Sequence, residues 1–190
     1  MSEQDSTASE QDSTATNYLD LPVRSFLEVL AEDKPAPAGG SAAALGVALA
    51  ASLCVMTARR SARQLTGAAE LAADAERLAD AVAPLVQADA DAYRAVIAAL
   101  REPGQPGAPA ALSGAADVPI RVAEIGARVA ALAARLAAHG NPNLHGDAVT
   151  AGHLAQAGVR SACALVRINL SGAGSDERLT RVAALLAALP

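Results

Sequence analysis

Pro35-Ala-Pro-Ala-Gly-Gly-Ser-Ala-Ala-Ala-Leu-Gly-Val-Ala-Leu-Ala50 opens a run of 24 residues, between Lys34 and Arg59, that carries no charge. Such a run is long enough to cross a bilayer. Its first part is spent on proline and glycine, however, and the remainder is mostly alanine with few large apolar residues, so insertion would be marginal. A phosphate loop is also a poor fit, since no strand precedes the glycines and no Lys-Ser/Thr follows them. The reading that remains is a helix over 41–65. An apolar surface on every side calls for protein on every side, in the core of a bundle or of a dimer. Ala42, Gly46 and Ala50 recur at four-residue intervals and would let a neighbouring helix come close. Gly39-Gly40-Ser41, just ahead, supports two readings that both stay open: bare N–H groups cradling a ligand at the positive helix end, or a capping turn with Ser41 as the cap.

The rest of the chain agrees with a helical core. Hydrophobic residues make up 52% of its 190 positions, yet only Tyr18, Phe26 and Tyr93 are aromatic, and alanine supplies much of the apolar count. Alanine is the best helix former, and strand patterns are absent, so the composition predicts an all-α fold, an up-and-down bundle of about six helices. Glycine and proline clusters divide it into helices near 22–32, 41–65, 68–101 (kinked at Pro84), 117–138, 144–171 and 176–188, with 102–109 as the clearest loop. One domain over 21–190 is long enough to bury its own core. Ahead of it, Ser2-Glu-Gln-Asp-Ser-Thr-Ala8 repeats at once as residues 9–15. That polar, acidic sequence predicts a disordered tail over 1–20.

Net charge is −5, but residues 1–20 hold five of the 20 acids and none of the 15 bases, so the remainder is balanced. Without a basic excess or aromatic platforms, nucleic acid is excluded as a partner. Cys54 and Cys163 lie in apolar helical stretches and read as reduced core thiols. The start of the chain lacks the basic and apolar parts of a secretion signal, and the expected location is the cytoplasm, with no membrane contact.

Polar residues in apolar surroundings mark the candidate chemistry. His139-Gly-Asn-Pro-Asn-Leu-His-Gly-Asp147 is a turn leading into a helix, with Asp147 in its first turn as either a cap or a carboxylate favoured by the helix dipole. Arg167 and Asn169 stand in the otherwise apolar Ala162-Cys-Ala-Leu-Val-Arg-Ile-Asn-Leu170 and need partners. Asp147 and Asn169 are 22 residues apart, about 33 Å along a helix, so they cannot hold one small ligand within a subunit. Antiparallel helices across a dimer would bring them together, which predicts sites shared between subunits. Asp89 and Asp91 diverge by about 200° on a helix, so one of them faces water. His145 and His153 lack a third ligand at metal spacing, and no nucleophile elbow is present, so neither a metal nor covalent hydrolysis is expected.

In this order, Phe26-Leu-Glu-Val-Leu, Pro35-Ala-Pro-Ala-Gly-Gly-Ser-Ala-Ala-Ala, Met56 with Ala58-Arg59, Asp89-Ala-Asp-Ala-Tyr, Val118-Pro119, Gly140-Asn-Pro-Asn with Asp147, and Val166-Arg-Ile-Asn-Leu resemble the formiminotransferase-cyclodeaminase C-terminal family. The likeness covers about 22–188. It implies a homodimer that acts on a folate, either as a cyclodeaminase (5-formiminotetrahydrofolate to 5,10-methenyltetrahydrofolate plus ammonia) or as a methenyltetrahydrofolate cyclohydrolase. No metal or redox cofactor is implied beyond the tetrahydrofolate substrate itself. Carried onto this chain, the resemblance makes Asp147 the acid/base group and Asp89 a second one, Arg167 and Asn169 the positioning groups, and Gly39, Gly40 and Ser41 the backbone cradle. The chain departs from the family at Ala38, where a third glycine is usual, at Leu165, where asparagine is usual, and over 61–67. Those changes leave two other readings: a relative recruited to another cyclisation or C–N reaction, and a folate-binding dimer without catalysis.

Overall fold

The computed structural model describes residues 17–172 and 174–190. Among them are eight α-helices and no strand: α1 (Val23–Leu30), α2 (Gly39–Arg59), α3 (Ala68–Val82), α4 (Leu85–Arg101), α5 (Ala108–Ala115), α6 (Asp117–His139), α7 (His145–Asn169) and α8 (Glu177–Ala187). Short 3-10 turns at Tyr18–Asp20 and Pro142–Leu144 precede α1 and α7. All six expected helical segments are present, but the one expected over 41–65 runs from Gly39 to Arg59 and residues 60–65 are not helical. Two helices are added because Pro84 separates α3 from α4 and because part of the 102–109 loop is helical. Pro109 falls in the first turn of α5, where its missing N–H would have had no partner anyway.

The acidic repeat lies outside the described residues. The last residues of the segment read as tail do not: Tyr18 donates its backbone N–H to Gln87 at 3.2 Å and meets Phe26 edge-on at 6.2 Å. This turn ties the start of the domain to α4.

At the centre, α2 packs against α3, α6 and α7. Ten of its 21 residues are buried, among them Ala43, Val47, Ala50 and Cys54. The close approach of helices occurs at Val47 rather than at the expected stripe. A Cβ on Gly158 would come within 2.4 Å of a Val47 methyl, and one on Gly126 within 3.2 Å of the same methyl and 2.8 Å of Val159. Side-chain-free positions on α6 and α7 therefore accept the Val47 branch. Gly46, in contrast, has nothing within 4 Å, and Leu49 is 53% exposed. Burial on all sides is thus not achieved within one chain. By length and hydropathy α2 could cross a membrane, and half of its most apolar window is buried in the bundle.

Both cysteines are buried and free. Burial pushes the Cys54 thiol up to about 12, so it packs as a neutral apolar group. The chain's end is held by Arg178, which donates to Asp117 and Asp176 and to the Ser113 carbonyl.

Candidate active site

The local rules at the start of α2 place the first functional groups. Ala38 is its N-cap, with extended backbone (φ −143°) that any residue adopts, so the helix begins at Gly39 and both glycines lie in its first turn. Ser41 is therefore not the cap. Its hydroxyl instead donates to the Val86 carbonyl at 2.8 Å and lies 3.5 Å from Asp89 Oδ2. This fixes the second turn of α4 against the first turn of α2.

Asp89 lies directly on Gly40. A Cβ at Gly40 would stand 2.0 Å from Asp89 Oδ1, while at Gly39 it would meet nothing within 4 Å. Only a bare backbone lets the carboxylate come this near to the positive end of a helix. Burial holds the Asp89 carboxyl above the ordinary value, and the backbone and hydroxyl of Ser41 oppose that rise. Asp91, two residues on, points to solvent in an ion pair with Arg94 at 2.5 Å. The divergence required by helical spacing is therefore present.

A cavity of about 430 Å³ opens beside Asp89. Its walls come from the Lys34–Gly40 segment, from Asp89 and Tyr93 on α4, from Ala115 at the end of α5, and from Leu165, Ile168 and Asn169 on α7. The Asn169 side-chain amide donates to the Ala115 carbonyl at 3.0 Å, which fixes its place. A larger hollow of about 580 Å³ runs along α1 alone, bounded by Val23 and Leu27 among others. Its charged groups, Arg24 and Glu28, lie on that one helix, whereas the smaller cavity gathers Lys34, Asp89 and Asn169 from three separate segments and is the one suited to a specific ligand.

Of the expected site residues, the structure brings together Gly39, Gly40, Asp89 and Asn169, with Ser41 behind Asp89. Arg167 is exposed and does not line the cavity; two residues from Asn169, it faces another side of α7. Asp147 lies at the other end of α7. That end is tied to the far end of α2, because Asn141 donates its backbone N–H to Ser61 Oγ (2.9 Å) and its side-chain amide to the Arg60 carbonyl (3.2 Å). α2 and α7 are therefore antiparallel, and Asp147 is a helix length from Asp89. The N-cap of α7 is Leu144, without a side-chain cap, so capping is not the use of Asp147 either. Among the described residues no three His, Cys, Asp or Glu side chains group as metal ligands, and His145 Nδ1 lies 3.1 Å from the Ala137 carbonyl.

Lys34, Tyr93 and Leu165 line the cavity as well; of these the sequence marks Leu165 as a departure from the family and Tyr93 as part of a shared motif, but assigns neither a role. Helical spacing could have placed two of them: Tyr93 follows Asp89 by four residues and Leu165 precedes Asn169 by four, each on the same helix face. Lys34 carries no such signal.

An all-α bundle with a carboxylate seated on a glycine turn defines the class of protein, and similarity in sequence and fold gives that class its family. The chain belongs to the formiminotransferase-cyclodeaminase family, which matches residues 22–187. It is 32% identical over 184 residues to the methenyltetrahydrofolate cyclohydrolase of Methylorubrum extorquens, covering 87% of this chain and 88% of that protein. It also superposes on the crystal structure of formiminotetrahydrofolate cyclodeaminase from Thermotoga maritima, with a TM-score of 0.78, 26% identity, and coverage of 90% of this chain and 89% of that one.

Proposed function

We propose that this protein is a cytoplasmic folate one-carbon enzyme, a methenyltetrahydrofolate cyclohydrolase first and a formiminotetrahydrofolate cyclodeaminase second. The order follows the higher identity to the cyclohydrolase relative. The single observation that carries the reading is the half-buried Asp89 carboxylate, seated on Gly40 and facing a cavity of suitable size.

In the hydrolytic direction, a water oxygen bonds to the methenyl carbon between two nitrogens while Asp89 accepts the proton. The tetrahedral intermediate then breaks one C–N bond, the same proton returns to the departing nitrogen, and the remaining hydroxyl proton is released to solvent as the formyl C=O forms. An acid lifted by burial is suited to both halves of this exchange, because its affinity for the proton lies closer to that of its partners. As a carboxylate, Asp89 also offsets the positive amidinium of the substrate. In the deaminating direction the steps are analogous: an internal nitrogen adds to the formimino carbon, and the proton goes to departing ammonia. Asn169, held by the Ala115 carbonyl, and the first-turn N–H groups at Gly39 and Gly40 position the substrate's polar edge.

The working form in this proposal is a homodimer. The exposed side of α2, with Gly46 and Leu49, and Ile168 on α7, which is 64% exposed, support it, since apolar surface of this kind is ordinarily covered by a partner. Leu165, at a position where asparagine is usual in the family, favours one further reading: a relative turned to a different amidine or imine substrate.

The test is the absorbance decay of 5,10-methenyltetrahydrofolate above the buffer rate. The parent should accelerate it, and Asp89→Asn should lose about 10²–10⁴-fold in kcat, with the sedimentation coefficient of a dimer unchanged. A fully active Asp89→Asn variant would remove Asp89 from the chemistry. A parent that turns over only a non-folate amidine would favour the recruited relative, and a monomeric, active parent would remove the dimer.

A further inference from the structure

Lys34 is the chain's single lysine, against 14 arginines, and it stands at the cavity that holds Asp89. Among the described residues lining that cavity, Lys34 and Asp89 are the two of basic and acidic type, with opposite formal charges. Pro35 follows immediately and Ala36 is buried, so the lysine backbone is pinned to the bundle while its side chain, 65% exposed, remains in water. Its ion-pair partner is Glu32 at 2.5 Å, itself 40% exposed. A pair so open to solvent is weak, and an arriving anion can take the place of Glu32.

The cavity therefore carries both signs of charge around an apolar wall. The carboxylate of Asp89 sits against the first turn of α2, Tyr93, Leu165 and Ile168 supply apolar wall, and Lys34 stands where the chain enters the site. Together these surfaces complement a ligand that carries a cationic reacting centre, an apolar part and an anionic group. We infer that Lys34 anchors the carboxylate tail of the substrate, which for the folate reading above, on which this inference rests, is the glutamyl end. Lys34 acts in binding, while the proton transfers belong to Asp89.

The experiment compares 5,10-methenyltetrahydrofolate with the same compound whose glutamyl carboxylates have been converted to amides, using the full chain, Lys34→Gln and Lys34→Arg. With the carboxylate substrate, Lys34→Gln should raise KM about fivefold, the size of one partly exposed charge contact, with kcat unchanged. Lys34→Arg should restore KM. With the amidated substrate, parent and Lys34→Gln should have the same KM. An equal KM change on both substrates, or no change on either, would overturn the anchor while leaving the folate reading intact. Failure of the parent itself to turn over either the carboxylate substrate or 5-formiminotetrahydrofolate would defeat the folate reading and the anchor together. Acetylation with an amine reagent gives an independent readout, with Lys34→Arg as the control for reaction at the α-amino group: parent acetylated at Lys34 should reproduce the Lys34→Gln KM, and substrate should slow that acetylation.

Discussion

At its N-terminal end α2 meets α4 across Gly40, and at its C-terminal end it meets the turn before α7 across Ser61. A glycine is involved at both ends for steric reasons, but the reasons differ. At the first, a Cβ on Gly40 would strike the Asp89 carboxylate. At the second, a Cβ on Gly140 would strike the Leu136 carbonyl at 2.5 Å and Ser61 Oγ at 2.9 Å. The Ser61 end is closed: its hydroxyl donates to the Thr57 carbonyl and accepts from Asn141. The Asp89 end keeps a half-buried acid beside an open cavity. A glycine facing another backbone group secures the fold, whereas a glycine facing an ionisable side chain serves what that side chain does.

The contrast breaks if substitutions at the two ends have the same consequences. Gly40→Ala should displace the Asp89 carboxylate and lower kcat about 10²-fold, whereas Gly39→Ala, with open space around it, should leave the melting temperature unchanged or raised. Steady-state kinetics and thermal melts of the pair decide this. Gly140→Ala should lower stability by about 1–3 kcal/mol in denaturant titration, with activity per folded molecule retained. Ser61→Ala, which strands the Asn141 N–H, should cost about 1–2 kcal/mol, again with kcat unchanged.

A finer test uses pH. Because burial raises the Asp89 carboxyl, the folded chain holds that proton more tightly than the unfolded chain does. The stabilising effect of the protonated group is present at low pH and is lost as pH rises from the ordinary carboxylate range through the raised folded value. Asp89→Asn removes that loss, so at neutral pH the variant should melt no lower than the parent. Smallest of all should be Asp147→Ala, with a rate within about twofold of the parent if the site is complete without that residue.

Helical periodicity makes most of this fold legible in the amino-acid sequence. Leu78, Val82, Leu85 and Val86, and again Val122, Val129 and Leu136, are buried where a period of 3.6 puts them. α5 is hidden because Pro109 and its neighbouring glycines read as turn residues, although proline in a first helical turn costs nothing. In the site, Asp89, Gly39, Gly40 and Asn169 converge as the family motifs imply, but their relative weight is not readable from the motifs. Local sequence places Asp147 at a helix start, which has electrostatic meaning. It does not show that the same feature at Gly39–Gly40 is the one that receives a carboxylate from another helix. That pairing joins residues 48 apart or more, and only tertiary packing creates it. Lys34 is equally silent, since its meaning comes from the residues of other elements that line the same cavity.

Val47 also acts as a gauge for the cavity. Its branch is seated against Gly126 and Gly158, which indexes α2 along α6 and α7 as a tooth indexes a ratchet. Gly40 lies seven residues before it, about 10 Å nearer the site, and Asn169 lies eleven residues beyond Gly158 on the antiparallel α7. The separation between Gly40, on which Asp89 rests, and Asn169 is thus set at a joint that touches neither. Enlarging either glycine would slide the helices and misalign the site while every residue lining it stayed the same.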